Sequence, residues 1–177
     1  NVVLNAATNV QAYNETSANL AAAFEGITTL TSTLTITGAD AATIAELMVI
    51  NAATSGTVVL NTETIAGAYA DTSTNLAAAF EGITTLTSTL NITGTTPATV
   101  AELMTINAAT SGTVVLNLQT IAANLSGSAV DLAAAFDGIT TSTSMLTITG
   151  ATPATVAELI TINAATSGTV ALNAQTI

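Results

Sequence analysis

The chain has no Lys, Arg, His or Cys among its 177 residues, while eleven Asp and Glu side chains give it a net charge of −11. Nucleic acids and anionic membrane surfaces are bound through clustered Lys and Arg, so the sequence argues against both as partners. The same absences remove imidazole general bases, Schiff-base lysines and thiolate nucleophiles. We therefore predict a protein that is not an enzyme and that has no catalytic or cofactor-binding residues.

Charged residues of either sign are scarce, at 6% of the chain, whereas apolar residues make up 49% and the mean hydropathy is +0.64. In ordinary soluble domains about a quarter of the residues are charged. No apolar stretch approaches the roughly 20 residues that a bilayer-spanning helix needs. Such a composition is typical of proteins that associate with copies of themselves, carry glycans or lie in a larger assembly. Because trypsin-like proteases have no cleavage site here, we expect an extracellular or cell-surface location.

The sequence repeats at a period of 56 residues without insertion or deletion. Asn19–Gly38 recurs as Asn75–Gly94 with the single change of Thr35 to Asn91, and Asp131–Gly150 is a looser third copy. Repetition at a fixed period is typical of stacked architectures, in which each unit buries its apolar face against its neighbours. We divide the chain into repeats at 1–56, 57–112 and 113–168, with 169–177 as the first strand of a further repeat.

Each repeat is predicted to contain two strand-plus-helix modules. In the first, residues 57–61 are apolar and β-branched, as in a strand, and Ile65 and Tyr69 mark a loop. Thr72 is a good N-cap for the following helix, and Gly82 stands where a C′ glycine would end it.

The second module opens with an alternating strand at residues 89–93. Its helix is predicted from the only two prolines, Pro97 and Pro153, which follow Thr96 and Thr152. A threonine before a proline indicates an N-cap followed by proline at the first helical position, where the missing N–H has no helical partner to lose.

Alternating strands and helices with connections of this length imply parallel strands joined by right-handed crossovers. We predict an α/β fold, specifically a right-handed α/β solenoid with a single parallel sheet and helices along one face; a doubly wound single domain is the alternative.

The sequence also begins inside a predicted strand, at residues 1–4, and ends one strand into a further repeat. An end-to-end junction between copies would then continue the sheet by strand addition, which generates a filament. The alternative is that the sequence is a segment of a much longer repeat array.

Alternation in the second strand directs Leu34 and Ile36 towards the helices and their neighbours towards the open face of the sheet. We call this open surface the threonine face, and predict that it mediates self-association. Its residues are Thr33, Thr35, Thr37, Thr89, Asn91, Thr93, Thr147 and Thr149. Threonine arrays on a flat sheet also favour ice or glycan binding, although threonine is in any case a favoured polar residue of strands.

Two columns of acidic residues recur with the repeat. Glu46, Glu102 and Glu158 are predicted on the solvent side of the longer helix, and Glu25, Glu81 and Asp137 precede the glycine that ends the shorter one. We interpret both columns as solvated carboxylates, with a row of Ca²⁺ sites as the alternative, since Ca²⁺ takes six to eight oxygen ligands. Carboxylates related by repeat translation do not form the close pair that hydrolytic catalysis requires.

Three N-x-[ST] sequons are candidate glycosylation sites, at Asn14, Asn91 and Asn124. Asn14 and Asn124 fall on predicted loops, where a glycan would fit, whereas Asn91 lies in the middle of a predicted strand. A glycan coat would explain solubility without charge.

The run TVAELMTINAATSGTVVLN, together with SAVDLAAAFDGI and the LTITG that follows it, resembles tandem strand-helix repeat segments of very large secreted and cell-surface proteins of cyanobacteria and other aquatic bacteria. The resemblance covers all three repeats. It implies an extracellular, cell-surface or matrix role and transfers no functional residues.

Two hypotheses for function follow. The first is a structural protein whose partner is itself, head-to-tail and laterally, in a filament, sheath or surface layer. The second is an adhesin stalk or a module that binds ice or carbohydrate through the threonine face.

Overall fold

The computed structural model describes residues 3–176, which fold into nine short strands in three parallel sheets and nine helices. The α/β class is as predicted. In chain order the elements are α1 (Ala6–Val10), β1 (Tyr13–Glu15), α2 (Ser17–Phe24), β2 (Leu34–Ile36), α3 (Ile44–Ala53), β3 (Val58–Val59), α4 (Thr62–Ala66), β4 (Tyr69–Asp71), α5 (Ser73–Phe80), β5 (Leu90–Ile92), α6 (Val100–Ala109), β6 (Val114–Val115), α7 (Leu118–Ala122), β7 (Leu125–Gly127), α8 (Ala129–Ala135), β8 (Leu146–Ile148), α9 (Val156–Ala165) and β9 (Val170–Ala171).

The strands form three separate sheets rather than the single sheet predicted. Their orders are β1-β2-β3, β4-β5-β6 and β7-β8-β9, and every pairing is parallel. Among residues 3–176, no ladder joins β3 to β4 or β6 to β7. After β3 the chain makes the five-residue helix α4 and returns as β4, which pairs with β5 and not with β3.

The six longer helices provide the continuity between repeats that the sheets lack. Contacts run in order from α2 to α3, α3 to α5, α5 to α6, α6 to α8 and α8 to α9. Two of these contacts, α3 with α5 and α6 with α8, join one repeat to the next. The helix row therefore crosses the boundaries at which strand pairing stops.

The alternation predicted for the second strand is confirmed. Leu34 and Ile36 are buried against the core, and Thr35 between them is only half-buried. The helices close the core from the other side, with Leu47 and Ile50 of α3 fully buried. Burial of such side chains contributes roughly 1.5–3 kcal/mol each, the main term that holds a sheet to its helices.

The predicted limits of the shorter helix are also confirmed. The Thr72 side chain accepts a hydrogen bond from the Asn75 backbone N–H at 3.3 Å and caps α5, which ends at Phe80. Gly82 then takes φ +72°, a left-handed conformation that glycine adopts without the strain of a side chain.

The predicted start of the longer helix is wrong by three residues. The N-cap is Thr99, not Thr96, and Pro97 lies in the loop before it. Glu102 accepts from the Thr99 N–H and donates its own N–H to the Thr99 hydroxyl, which completes a capping box. The N–H of Ala98 meanwhile bonds to the Thr120 hydroxyl at 2.8 Å, which holds that residue outside the helix.

The second and third repeats each have three strands and three helices rather than two of each, because the segment predicted as a loop forms a helix and a strand, α4 with β4 and α7 with β7. Asn61 caps α4 through its Oδ1, which accepts from Thr64 N at 3.0 Å. Its Nδ2 donates to the backbone oxygens of Gly38 at 3.1 Å and Asp40 at 2.9 Å, in the loop after β2. The fully buried Thr64 hydroxyl accepts from Ala42 N at 2.9 Å in the same loop. The short helix is therefore held to the preceding sheet by side-chain bonds.

The strands predicted at the two ends of the sequence fall partly outside the described residues. Asn1 and Val2 belong to the strand predicted at residues 1–4, and Val3 and Leu4 are not in a strand. Ile177 belongs to the segment predicted at residues 169–177 and also lies outside the described residues. Within that segment β9 pairs with β8 as the third strand of the third sheet.

Asn117 is the equivalent of Asn61, and it both caps a helix and bonds to a neighbouring loop. We therefore expect it to stabilise the fold by more than an ordinary helix cap does. Asn117 is 9% exposed, caps α7 and donates to the backbone oxygens of Gly94 and Thr96. Asn117→Ala should lower the free energy of unfolding by about 2–3 kcal/mol in urea titrations followed by circular dichroism. Asn5→Ala is the control, because Asn5 is an exposed cap of α1, and should lower it by about 1 kcal/mol. Equal losses in the two variants would contradict the bridging role.

The serines that precede β2 and β8 provide a second matched test. Ser32 and Ser144 are each 6% exposed, but the Ser144 hydroxyl lies 3.0 Å from that of Ser142, whereas the Ser32 hydroxyl has no partner among the described residues. A buried hydroxyl without a partner destabilises a fold by about 1–3 kcal/mol. Ser32→Ala is therefore expected to raise the thermal midpoint and Ser144→Ala to lower it. Two shifts of the same sign would contradict the assignment.

Candidate functional site

The carboxylates of Glu46, Glu102 and Glu158 lie at the N-termini of α3, α6 and α9, where each completes a capping box. All three are half-buried, so the prediction that they point to solvent is wrong. The cause is local, because the third residue of a helix folds its carboxylate back over the first turn when a threonine N-cap offers its N–H.

The capping carboxylate also binds the neighbouring helix in the first two repeats. Glu102 Oε2 accepts from the Ser73 hydroxyl at 3.1 Å, and Glu102 Oε1 accepts from the Thr74 hydroxyl at 2.7 Å. In the first repeat, Glu46 accepts from the Ser17 hydroxyl at 3.1 Å. One carboxylate thus joins the N-termini of two helices.

The third repeat lacks this bridge because Ala129 and Val130 replace the two hydroxyl residues of α5. Glu158 keeps its capping bonds with Thr155. The column of three glutamates is thus uniform in its caps but not in its bonds between helices.

The pKa of Glu102 shows which influence dominates at this carboxylate. Partial burial acts to raise its pKa, but hydrogen bonds from the Thr99 backbone N–H and from the hydroxyls of Thr74, Thr99 and Ser73 outweigh it. The pKa therefore lies below its ordinary value. The carboxylate remains ionised and acts as an acceptor at neutral pH.

The second acidic column remains at the surface. Glu25, Glu81 and Asp137 are exposed beside the C-terminal ends of α2, α5 and α8. Within residues 3–176 no group of three or more His, Cys, Asp or Glu side chains is placed to hold a metal ion. The six acidic candidates are thus distributed along the array, and the structure does not bring them together around a Ca²⁺ position.

The three sequons differ in accessibility. Asn14 is exposed but lies in β1, opposite Thr35, and not in a loop as predicted, because β1 is one of the strands that the sequence pattern did not reveal. Asn124 is exposed immediately before β7, and its Oδ1 accepts from Met145 N at 3.1 Å. Asn91 is half-buried in the middle of β5, as predicted.

The threonine face is present but is divided between sheets. Its mid-strand members Thr35, Asn91 and Thr147 are half-buried. The flanking members are half-buried Thr33 and exposed Thr37, Thr89, Thr93 and Thr149. Because the strands that carry these members belong to three different sheets, the threonine face is not the one continuous surface that the predicted single sheet would give.

Within each sheet the outward row is chemically mixed. Parallel pairing places Thr35 between Asn14 and Val59, and the equivalent rows of the other sheets are Ala70, Asn91 and Val115, then Ser126, Thr147 and Ala171. Val59 and Val115 are 42% and 43% exposed. A regular threonine lattice is therefore absent from these rows, and the accessible surface alternates polar and apolar side chains.

The junction between repeats is made by an asparagine clamp. Asn51 of α3 donates from Nδ2 to the backbone oxygens of Ala78 at 3.1 Å and Glu81 at 3.0 Å, at the C-terminal end of α5. Asn107 of α6 makes the same pair of bonds at the end of α8, to Ala134 and Asp137, both at 3.0 Å. Carbonyls of a last helical turn have no partner within their own helix, so the clamp satisfies groups that would otherwise need water. The sequence analysis did not predict this role.

A surface groove of about 360 Å³ lies between the N-termini of α8 and α9 and is lined by Ser128, Thr149, Pro153 and Glu158 among others. A related groove of about 260 Å³ lies between α2 and α3. The first holds one carboxylate, already engaged in a capping box, and therefore has no second acid to pair with it.

Comparisons with known proteins assign no family. No protein-family model, curated protein or solved structure matches this chain. Among residues 3–176, no helix is long and apolar enough to cross a membrane. The resemblance to tandem repeat segments of large secreted proteins therefore stays a prediction.

We expect the Ser73 and Thr74 hydroxyls of α5 to contribute to the lowered pKa of Glu102, and both can be removed by substitution. Replacing Ser73 by Ala and Thr74 by Val, the residues of the third repeat, should move the pKa of Glu102 up towards its ordinary value in a carbon-detected NMR titration. A lowered pKa contributes stability above the unfolded value of about 4.3, and this contribution is lost as the pH falls through the folded value. The double variant should thus lose less stability than the parent on acidification below about pH 4.5. An unchanged Glu102 pKa would contradict the bridge.

Proposed function

We propose that the protein is an extracellular structural repeat protein, a right-handed α/β solenoid that assembles with copies of itself into a filament, sheath or surface layer. The observation that carries this proposal is the asparagine clamp, which recurs with the same geometry at both internal repeat boundaries. A chain that joins like units through one repeated contact has the geometry of an extensible array.

The chemistry of the junction supports self-assembly. The clamp uses an amide donor and backbone oxygens, so it needs no ion pair and no charge on either side. Uncharged contacts of this kind are little affected by ionic strength, unlike surface salt bridges. Because the chain has no Lys, Arg or His, its copies cannot associate through ion pairs between side chains.

Lateral association is assigned to the open faces of the sheets. Each face exposes a mixed row of amide, hydroxyl and valine side chains, and Val59 and Val115 repeat at the same position. Alternating polar and apolar groups suit packing against an identical face, because hydroxyls and amides both donate and accept. An ice-binding surface would need a regular array of hydroxyl groups. The mixed row of amide, hydroxyl and valine side chains therefore gives less support to this alternative hypothesis.

A non-catalytic role is consistent with the placement of the acidic side chains. Glu46, Glu102 and Glu158 act as helix caps, and the carboxylates of the other column are exposed at helix ends. Paired-carboxylate catalysis requires two acids about 5–10 Å apart with one of them in an apolar pocket. An extracellular location is favoured by the absence of tryptic sites and by the resemblance to secreted repeat proteins.

Electron microscopy of the purified chain tests the proposal. Concentrated protein should form filaments or sheets with a regular subunit repeat, equally in calcium and in chelator, because the clamp needs no metal. Dispersed single particles in both conditions would contradict assembly and favour an adhesin stalk or a carbohydrate-binding module. Assembly in calcium alone would restore the acidic columns as metal sites.

A further inference from the structure

The side chains of this protein can carry a negative charge or none, but never a positive one. Its eleven carboxylates are not balanced by any Lys, Arg or His, so protonation takes their charge from −11 to zero and no further. Reference pKa values of about 3.9 for Asp and 4.3 for Glu place most of this change between about pH 5 and pH 3. An ordinary acidic protein becomes positively charged below its isoelectric point, because its Lys and Arg stay protonated. Acid therefore removes the charge of this chain without replacing it.

The carboxylates lie outside the surface to which lateral association is assigned. The outward rows of the three sheets hold amide, hydroxyl and apolar side chains and no carboxylate. Contact through these rows would therefore bury no charge, and the carboxylates oppose it only from a distance. Six carboxylates are exposed and five are half-buried; the exposed ones are those of Glu15, Glu25, Asp40, Glu63, Glu81 and Asp137, and the half-buried ones are those of Glu46, Asp71, Glu102, Asp131 and Glu158.

Any charged side chain that faces one of these carboxylates is another carboxylate, because the chain has no cationic side chain. Glu25 and Glu46 line one groove between α2 and α3, and Glu81 and Glu102 line the equivalent groove between α5 and α6. Asp40 lines a further groove with Glu46. The hydrogen bonds that the carboxylates accept come from uncharged donors, namely backbone N–H groups, hydroxyls and amides. The two tyrosine phenols are uncharged in acid.

The fold is expected to survive this loss of charge. Acid ordinarily unfolds proteins by breaking ion pairs, by charging buried His and by accumulating positive charge, and the side chains here permit none of the three. The pKa of Glu15 is lowered by hydrogen bonds from the Asn19 side chain and the Thr16 N–H, and that of Glu102 is also lowered. The stability that these two shifts contribute is lost as the pH falls through the folded values. Protonation meanwhile removes the mutual repulsion of eleven like charges, which opposes a compact state.

We propose that protonation of the carboxylates is a one-way switch from dispersed to assembled chains. At low ionic strength, self-association rises as the pH falls below about 5, and it does not reverse at lower pH. The inference rests on the proposed self-assembly and adds its control. The contacts between copies are uncharged and do not change with pH, whereas the repulsion between the copies does. Salt acts in the same direction as acid, because the Debye length falls from about 30 Å at 0.01 M to about 8 Å at 0.15 M.

Sedimentation velocity at an ionic strength of about 0.01 M tests the switch. Between about pH 7 and pH 3 the association constant should rise at least about tenfold, and it should remain raised at about pH 2. In about 0.15 M salt the same change of pH should have a much smaller effect, because the repulsion is already screened. Circular dichroism at each pH checks that the chain stays folded.

Two variants with substitutions at the same positions isolate the effect of charge. One carries Ala→Lys at nine exposed helix positions, and its control carries Ala→Gln at the same nine. The lysines change the net charge by +9, from −11 to −2 at neutral pH and from zero to +9 in acid. The lysine variant should therefore associate less as the pH falls, the reverse of the parent, whereas the glutamine variant should follow the parent. The nine positions, three in each repeat, are Ala22, Ala45, Ala52, Ala78, Ala101, Ala108, Ala134, Ala157 and Ala164.

The outcomes separate this inference from the proposed function. An association constant that is equal at neutral and acid pH in low salt, or that falls back at about pH 2, would overturn the switch and leave self-assembly standing. A folded lysine variant that follows the parent, or a parent that unfolds by about pH 3, would also overturn the switch alone. A parent that stays monomeric at every pH and salt concentration would overturn both. A rise that persists in the glutamine variant and is inverted in the lysine variant would establish the switch.

Discussion

Uncharged side chains that bond to the backbone of a neighbouring segment join the parts of this molecule that strand pairing leaves separate. Asn61 caps one helix while it binds the preceding loop, Thr64 accepts from that loop, and Asn51 clamps the helix of the next repeat. Backbone groups at helix ends and in loops must find partners when they leave water. A chain without cationic side chains meets this requirement with amides and hydroxyls. This explains why Asn and Thr recur at fixed positions in every repeat.

The acidic residues fit the same scheme. Helix N-termini carry partial positive charge, so a carboxylate there is stabilised without any Lys or Arg. Glu46 and Glu102 use this position and also join a second helix through Ser17 and Ser73. These carboxylates, which carry part of the net charge of −11, therefore also order the helix row.

The parts of the fold that rest on local periodicity were predictable from sequence. The burial of Leu34 and Ile36 follows from alternation, and the Thr72 cap follows from its place before an apolar helix. Helix α4 and strand β4 were not found, because five residues make little more than one turn and three residues barely alternate. The available signal was the recurrence of Asn-x-x-Thr, at Asn5, Asn61, Asn117 and Asn173. The division into three sheets and the clamp had no local signal, because each depends on which distant segment becomes a neighbour.

The break in strand pairing at each repeat boundary has a mechanical consequence. Parallel ladders loaded in shear resist extension because many hydrogen bonds must fail at once, but no ladder crosses from β3 to β4 or from β6 to β7 among residues 3–176. Tension between repeats would instead pass through the packing of α3 with α5 and of α6 with α8 and through their asparagine clamps. The chain would then lengthen in discrete steps, one sheet at a time, and each step would absorb mechanical work.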